Sequence, residues 1–170
     1  MSYYSKYLCT SIGVSEVEVE SKNKIKIGKE GRHMGNSQLV ISKISKSRGF
    51  MEFINALNIN NILVFGTVLR DEFNDDSDVD IAILSNEKLN LNDILNLELL
   101  LEDMLDRYID VVDLNSDNLD LFVKISILNT GRSVYSSDEN KSLEDMIYKV
   151  EKYYRENENF FYFRRLDLLS

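Results

Sequence analysis

Proline and tryptophan are missing from the 170 residues, and there is one cysteine, Cys9, and one histidine, His33. A lone cysteine excludes an internal disulfide, and one cysteine with one histidine cannot build the usual zinc site. Any metal held here must therefore be held by oxygen. Long apolar runs are missing too: no stretch approaches the roughly 20 uninterrupted apolar residues of a membrane span. The polar start Met1-Ser2-Tyr3-Tyr4-Ser5-Lys6 does not read as a signal peptide. A cytoplasmic protein without a membrane partner is the expectation.

Acid is what the chain has in excess. Asp and Glu number 29 against 20 Lys and Arg, a net charge of −9, and the charge is unevenly spread. Residues 1–50 carry nine basic and four acidic groups, a net of +5, whereas residues 51–170 carry 11 and 25, a net of −14. So acidic a body argues against nucleic acid as a partner, because gripping a phosphate backbone needs clustered Lys and Arg. It suits divalent cations or a basic partner protein. With 44% apolar and 29% charged residues the composition is that of a globular domain, and the length is enough for one.

Without proline, boundaries are read from Gly, Asn and Asp. Residues 1–36 form an N-terminal extension of unknown role, in which Val14–Val19 and Lys24–Ile27 alternate like the arms of a hairpin. Residues 37–170 form the main domain. Within it Leu39–Leu57 is helical with a break near Gly49, and Asn61–Phe65 is a buried strand ended by Gly66. A turn or short helix covers Thr67–Phe73, and Val79–Leu84 is a second strand. Asn92 is placed to cap a helix running to Asp106, and Tyr108–Leu114 is a third strand. Leu119–Leu128 reads as a helix stopping at Gly131, with a short strand at Val134–Tyr135. Leu143, Met146, Ile147, Val150, Tyr153 and Tyr154 mark a C-terminal amphipathic helix, and the aromatic tail Phe160–Phe163 follows it. The pattern is α/β (α+β): a small mixed β-sheet with helices packed mainly on one face.

The chemistry is concentrated between Gly66 and Ile81. Side chains two apart on a strand share a face, so Asp78 and Asp80 present two carboxylates together. Two adjacent carboxylates repel unless a cation sits between them, and a hard oxygen pair of this kind suits Mg²⁺. Asp110 opens the apolar run Val111-Val112 and is the candidate third acid; Asp113, three residues on, faces the other side. Upstream, the Gly66-Thr67 turn opens a helix N-terminus whose free N–H groups suit a phosphate. Arg70 fits either a phosphate contact or a surface ion pair. Asp71, Asp75 and Asp76 read as solvated loop acids.

This arrangement resembles the nucleotidyltransferase superfamily that includes DNA polymerase β, and within it the minimal nucleotidyltransferase (MNT) family. Gly66-Thr67, ten residues, then Asp78-Val79-Asp80 with Ser77 in front matches the family's Gly-Ser to Asp-x-Asp spacing, and Ile109-Asp110-Val111-Val112 matches its third-carboxylate strand. The likeness covers about residues 50–155. It implies Asp78, Asp80 and Asp110 as catalytic residues and as ligands of two Mg²⁺ ions, with ATP as substrate. Gly66, Thr67, Arg70 and Ser77 would bind the nucleotide. It further implies an antitoxin that transfers AMP to a tyrosine of a HEPN-type ribonuclease toxin. Two rivals stand beside this: a small-molecule, aminoglycoside-type nucleotidyltransferase, and a catalytically silent antitoxin that works by binding. Thr67 for Ser and Asp71 for the Gly expected after Arg70 depart from the pattern, and altered nucleotide binding is expected from them.

Overall fold

Residues 62–65 and 81–84 are apolar at every position, so both faces of any sheet they form must be covered. In the computed structural model, which describes residues 36–161, both segments are strands. The order is α1 (Asn36–Lys46), α2 (Arg48–Ala56), β1 (Ile59–Phe65), a 3₁₀ turn (Gly66–Leu69), β2 (Val79–Ser85), α3 (Leu91–Leu105), β3 (Ile109–Asp113), α4 (Leu121–Thr130), β4 (Arg132–Ser136) and α5 (Lys141–Glu156). The strands lie in the order β3-β2-β1-β4. β1 is antiparallel to both β2 and β4, and β2 is parallel to β3. This is the mixed sheet of an α+β fold, as the sequence pattern predicts.

Alternation along the strands sorts the core into two. Ile62, Val64, Ile81, Ile83 and Ile109 face α1, α2 and α3, where they meet Ile44, Phe50, Ile54, Leu97 and Leu101. Leu63, Ala82, Leu84 and Leu114 face the other way, onto Ile125, Leu128, Val150 and Tyr154 of α4 and α5. Each fully buried Ile or Leu contributes about 1.5–3 kcal/mol. The helices are thus divided three and two, where the sequence suggests one main face. The unbroken apolar character of β1 and β2 requires that division.

Local details differ from expectation for identifiable reasons. Asn90, not Asn92, caps α3: its side chain accepts the Asp93 N–H at 2.9 Å, and its amide reaches Asp93 Oδ2. β1 starts at Ile59 and the turn after it ends at Leu69. The break between α1 and α2 lies at Ser47, whose hydroxyl accepts the Phe50 N–H. Gly131 does end α4, but with φ −67 it is not in the left-handed region; it is small because a Cβ there would sit 2.6 Å from the Ile127 carbonyl oxygen. In the aromatic tail Phe161 is buried against Phe122 and Tyr154, while Phe160 is exposed. The expected hairpin in residues 1–36, and Tyr162 and Phe163, lie outside the described residues. Among the described residues no helix is long and apolar enough to cross a membrane.

Candidate active site

The sheet end at which β1 finishes and β2 and β3 begin collects the acidic residues. In the parallel β2–β3 pair, Asp80 is in register with Asp110, so the two lie side by side on neighbouring strands. Their flanking residues Val79, Ile81 and Ile109 are buried toward α1–α3, which leaves both acids on the face that carries Ala82 and Val112. Asp78, one residue before β2, is exposed, as is Asp110; Asp80 is half-buried. The Asp80 carboxyl is held above the usual carboxylate range. Burial is the largest cause, followed by the negative charges of Asp78 and then Asp110; a hydrogen bond donated by the Thr67 N–H works the other way. Asp78 and Asp110 are therefore each close enough to act on Asp80 electrostatically.

Gly66 brings β1 against this group. Its φ is +69, in the left-handed region that favours glycine, and a Cβ added there would overlap Asp80 Oδ2. Thr67 follows, its N–H on the Asp80 carboxylate and its buried Oγ1 without a hydrogen-bond partner among the described residues. The Thr67 amide expected to meet a phosphate is thus occupied in orienting an acid. Arg70 ends the 3₁₀ turn with its side chain exposed, and it makes no ion pair among the described residues. Ser77 closes the loop before Asp78, its hydroxyl accepting the Asn74 N–H at 3.1 Å.

Asp71 and Asp76 are exposed, as expected, but Asp75 pairs with Arg107 at 3.1 Å. Arg107 was not singled out by the sequence pattern; the available signal is a single cation set between a helix and a strand in an otherwise acidic stretch. Asp113 faces away from Asp110 and is buried; it accepts the Leu89 and Asn115 N–H groups at 2.9 and 2.8 Å, a structural role. Among the described residues no group of three or more His, Cys, Asp or Glu is placed so that it could hold a metal ion by itself. An open groove of about 520 Å³, lined by Asn58, Asn86, Lys88 and Asp93 among others, lies at the opposite end of β1 and β2.

The model of the polymerase β nucleotidyltransferase domain matches residues 51–140, just over half of the chain. No curated protein matches. Among solved structures, a chain from a toxin–antitoxin complex with AMP-PNP has a TM-score of 0.61 at 19% identity, over 76% of this chain and 98% of that one. A chain from the MntA–HepT toxin–antitoxin complex has a TM-score of 0.52 at 20% identity, over 78% and 99%. A chain from the complex of tri-AMPylated Shewanella oneidensis HEPN toxin with MNT antitoxin has a TM-score of 0.52 at 20% identity, over 79% and 99%. At these identities the likeness is one of fold. The matched domain contains the Gly66 turn, the Asp-x-Asp and the Asp110 strand, and the chain belongs to the polymerase β nucleotidyltransferase family.

Proposed function

We propose that this chain is a Mg²⁺-dependent nucleotidyltransferase that moves AMP from ATP to a tyrosine hydroxyl of a HEPN-type ribonuclease toxin, and so acts as that toxin's antitoxin. The observation that carries the proposal is the in-register pair Asp80–Asp110, with Asp78 acting on Asp80, beside a glycine turn whose threonine hydroxyl is buried without a partner among the described residues.

The donor set fits the ion. All candidate ligands are carboxylate oxygens, which suit a hard cation, and Asp80 bears a burial cost and two like charges that a cation would offset. Mg²⁺ typically takes only one or two carboxylates and fills its octahedron with water and substrate phosphates. The remaining positions would be left to water and to the phosphates of the metal–nucleotide substrate. Asp78, Asp80 and Asp110 are the residues that would hold the metal. Two bound Mg²⁺ ions supply charge neutralisation at the α-phosphate and at the leaving pyrophosphate.

The rest falls to the chain's own groups. Thr67 Oγ1 donates to a phosphate oxygen, and Gly66 lets the triphosphate tail approach the backbone. Ser77 keeps its hydroxyl proton for the same purpose while accepting from Asn74. Arg70, exposed and unpaired among the described residues, is available to the outer phosphates. The tyrosine oxygen attacks the α-phosphorus, the α–β anhydride bond breaks, pyrophosphate departs, and the hydroxyl proton passes to Asp110. Positioning and charge neutralisation supply the catalysis.

The choice of partner is supported by two things. The −14 body complements a basic RNA-cleaving protein. The fold is shared with the MNT antitoxin found with an AMPylated HEPN toxin. A cytoplasmic setting, where ATP and Mg²⁺ are supplied, goes with this reading.

The test is incubation of the chain, α-labelled ATP and Mg²⁺ with a co-purified HEPN partner, scored by label on a partner tyrosine. The proposal expects transfer by the wild type and none by the Asp78→Ala/Asp80→Ala variant. Labelling of an aminoglycoside but not the partner would favour the small-molecule rival. Neutralisation that survives in the double variant would favour occlusion.

A further inference from the structure

Arg107 sits between α3 and β3 with its side chain only 12% exposed, and it directs its donors onto main chain. Nη1 donates to the carbonyls of Asn74, Asp75 and Ser77 at 2.6, 2.9 and 3.1 Å. Nη2 donates to Asp75 Oδ1 at 3.1 Å. The guanidinium lies over the Phe73 ring, 4.9 Å from its centroid. Such a network is more than a surface ion pair, because a largely buried guanidinium needs acceptors for its donors and here both terminal nitrogens find them on a single loop.

That loop ends at Asp78. The carbonyl before Asp78, that of Ser77, is held by Arg107, and the amide after it, that of Val79, donates to the Tyr108 carbonyl at 3.0 Å. Ile109 and Asp110 then pair with Val79 and Asp80. Residues 107–110 therefore hold Ser77, Val79 and Asp80, on either side of Asp78. The same short segment that brings in Asp110 also dictates where Asp78 stands relative to it.

We propose that Arg107 is a positioning residue for the acidic site: by clamping the carbonyls of Asn74, Asp75 and Ser77 it sets the backbone of Asp78 at the spacing from Asp80 and Asp110 at which a divalent cation carried by a nucleoside triphosphate is bound. It touches neither metal nor substrate. The inference rests on the nucleotidyltransferase reading above. Lysine cannot reproduce the clamp in full, since it has one nitrogen where Arg107 uses two and no plane to lay on Phe73.

The test compares wild type, Arg107→Lys and Arg107→Met, all assayed well below their unfolding temperatures. Binding of Mn²⁺ together with a non-hydrolysable ATP analogue is followed by electron paramagnetic resonance. Arg107→Met should weaken Mn²⁺ binding about tenfold, and Arg107→Lys should fall between. In turnover, the Mg²⁺ concentration for half-maximal rate should rise about tenfold, while the rate at saturating Mg²⁺ falls less than threefold. Amide exchange in residues 76–78 should quicken in Arg107→Met even without metal. Wild-type Mn²⁺ affinity in Arg107→Met would overturn the role of Arg107 alone, as would a loss of rate with the metal requirement unchanged. A wild type that binds no Mn²⁺–nucleotide would instead sink the nucleotidyltransferase reading, and this inference with it.

Discussion

Gly66→Ala is the substitution whose consequences the structure defines most narrowly. Gly66 has φ +69, and an L-residue held in the left-handed region costs about 1–2 kcal/mol. The added Cβ would also overlap Asp80 Oδ2 and come within 3.0 Å of Asp80 Cγ, so the carboxylate must swing away from the Thr67 N–H. With part of that charge-assisted bond recovered from water, the total destabilisation is about 2–3 kcal/mol. At about 2–4 °C per kcal/mol for a chain of this size, the midpoint of thermal unfolding should fall by about 4–12 °C. Activity should fall further than stability explains, because the atom displaced belongs to a proposed metal ligand; about a hundredfold loss of turnover at a temperature where the variant is folded is expected. Two other glycines serve as controls. Gly49→Ala, inside α2 with nothing within 4 Å of the new Cβ, should stabilise by about 0.5–1 kcal/mol and leave turnover unchanged. Gly131→Ala, facing the Ile127 carbonyl and Leu63, should lower the midpoint without lowering the turnover of the folded fraction. Differential scanning fluorimetry and the AMP-transfer assay read both quantities. A Gly66→Ala protein with wild-type midpoint and wild-type turnover would refute the packing of Gly66 on Asp80.

Thr67→Val removes a buried hydroxyl that has no partner, so the nucleotide-free protein should be as stable as wild type or more stable, by about 1 kcal/mol, while ATP-analogue affinity measured by calorimetry falls about tenfold. Asp80→Asn should stabilise the metal-free protein at neutral pH. The folded carboxyl is raised above 3.8, so wild type loses stability as pH rises through its folded pKa, and the advantage of the variant should shrink as pH falls below that pKa toward 3.8; urea unfolding across pH 4–8 checks the sign. Asp113→Ala strands the Leu89 and Asn115 N–H groups beside a buried site and should cost about 1–3 kcal/mol, with metal-dependent transfer by the folded protein retained.

The placement of the candidate acids was readable from the chain because its rules are local. Asp78 and Asp80 are two apart, Gly66 ends a strand, and Asp110 interrupts an apolar run, where an acid needs a reason to be. Register then does the remainder by pairing Asp80 with Asp110. What could not be read depends on which groups meet across the fold. Arg107 finds its acceptors 30–33 residues earlier, on carbonyls that no side-chain pattern reports. The cap of α3 lies two residues before the Asn92 that the sequence suggests, because Asn90 and Asn92 are the same residue type. The decision lies with Asp93, which sits three beyond Asn90 and supplies both the N–H and the returning carboxylate. Gly131 has the sequence signature of a left-handed stop, yet close approach to Ile127 and Leu63 is what demands it. The division of helices between two faces was implicit in the unbroken apolar strands, but which helix takes which face follows from the strand order.

The claim on which the account depends is that Asp78, Asp80 and Asp110 converge on one metal–nucleotide site. The most direct test is a crystal structure of the chain grown with Mg²⁺ and a non-hydrolysable ATP analogue. Mg²⁺ and the triphosphate should be found together at Asp78, Asp80 and Asp110, the three residues that would hold the metal, with Thr67 Oγ1 on a phosphate oxygen. A triphosphate bound elsewhere, or bound here with the Asp110 carboxyl turned away from the metal, would contradict it.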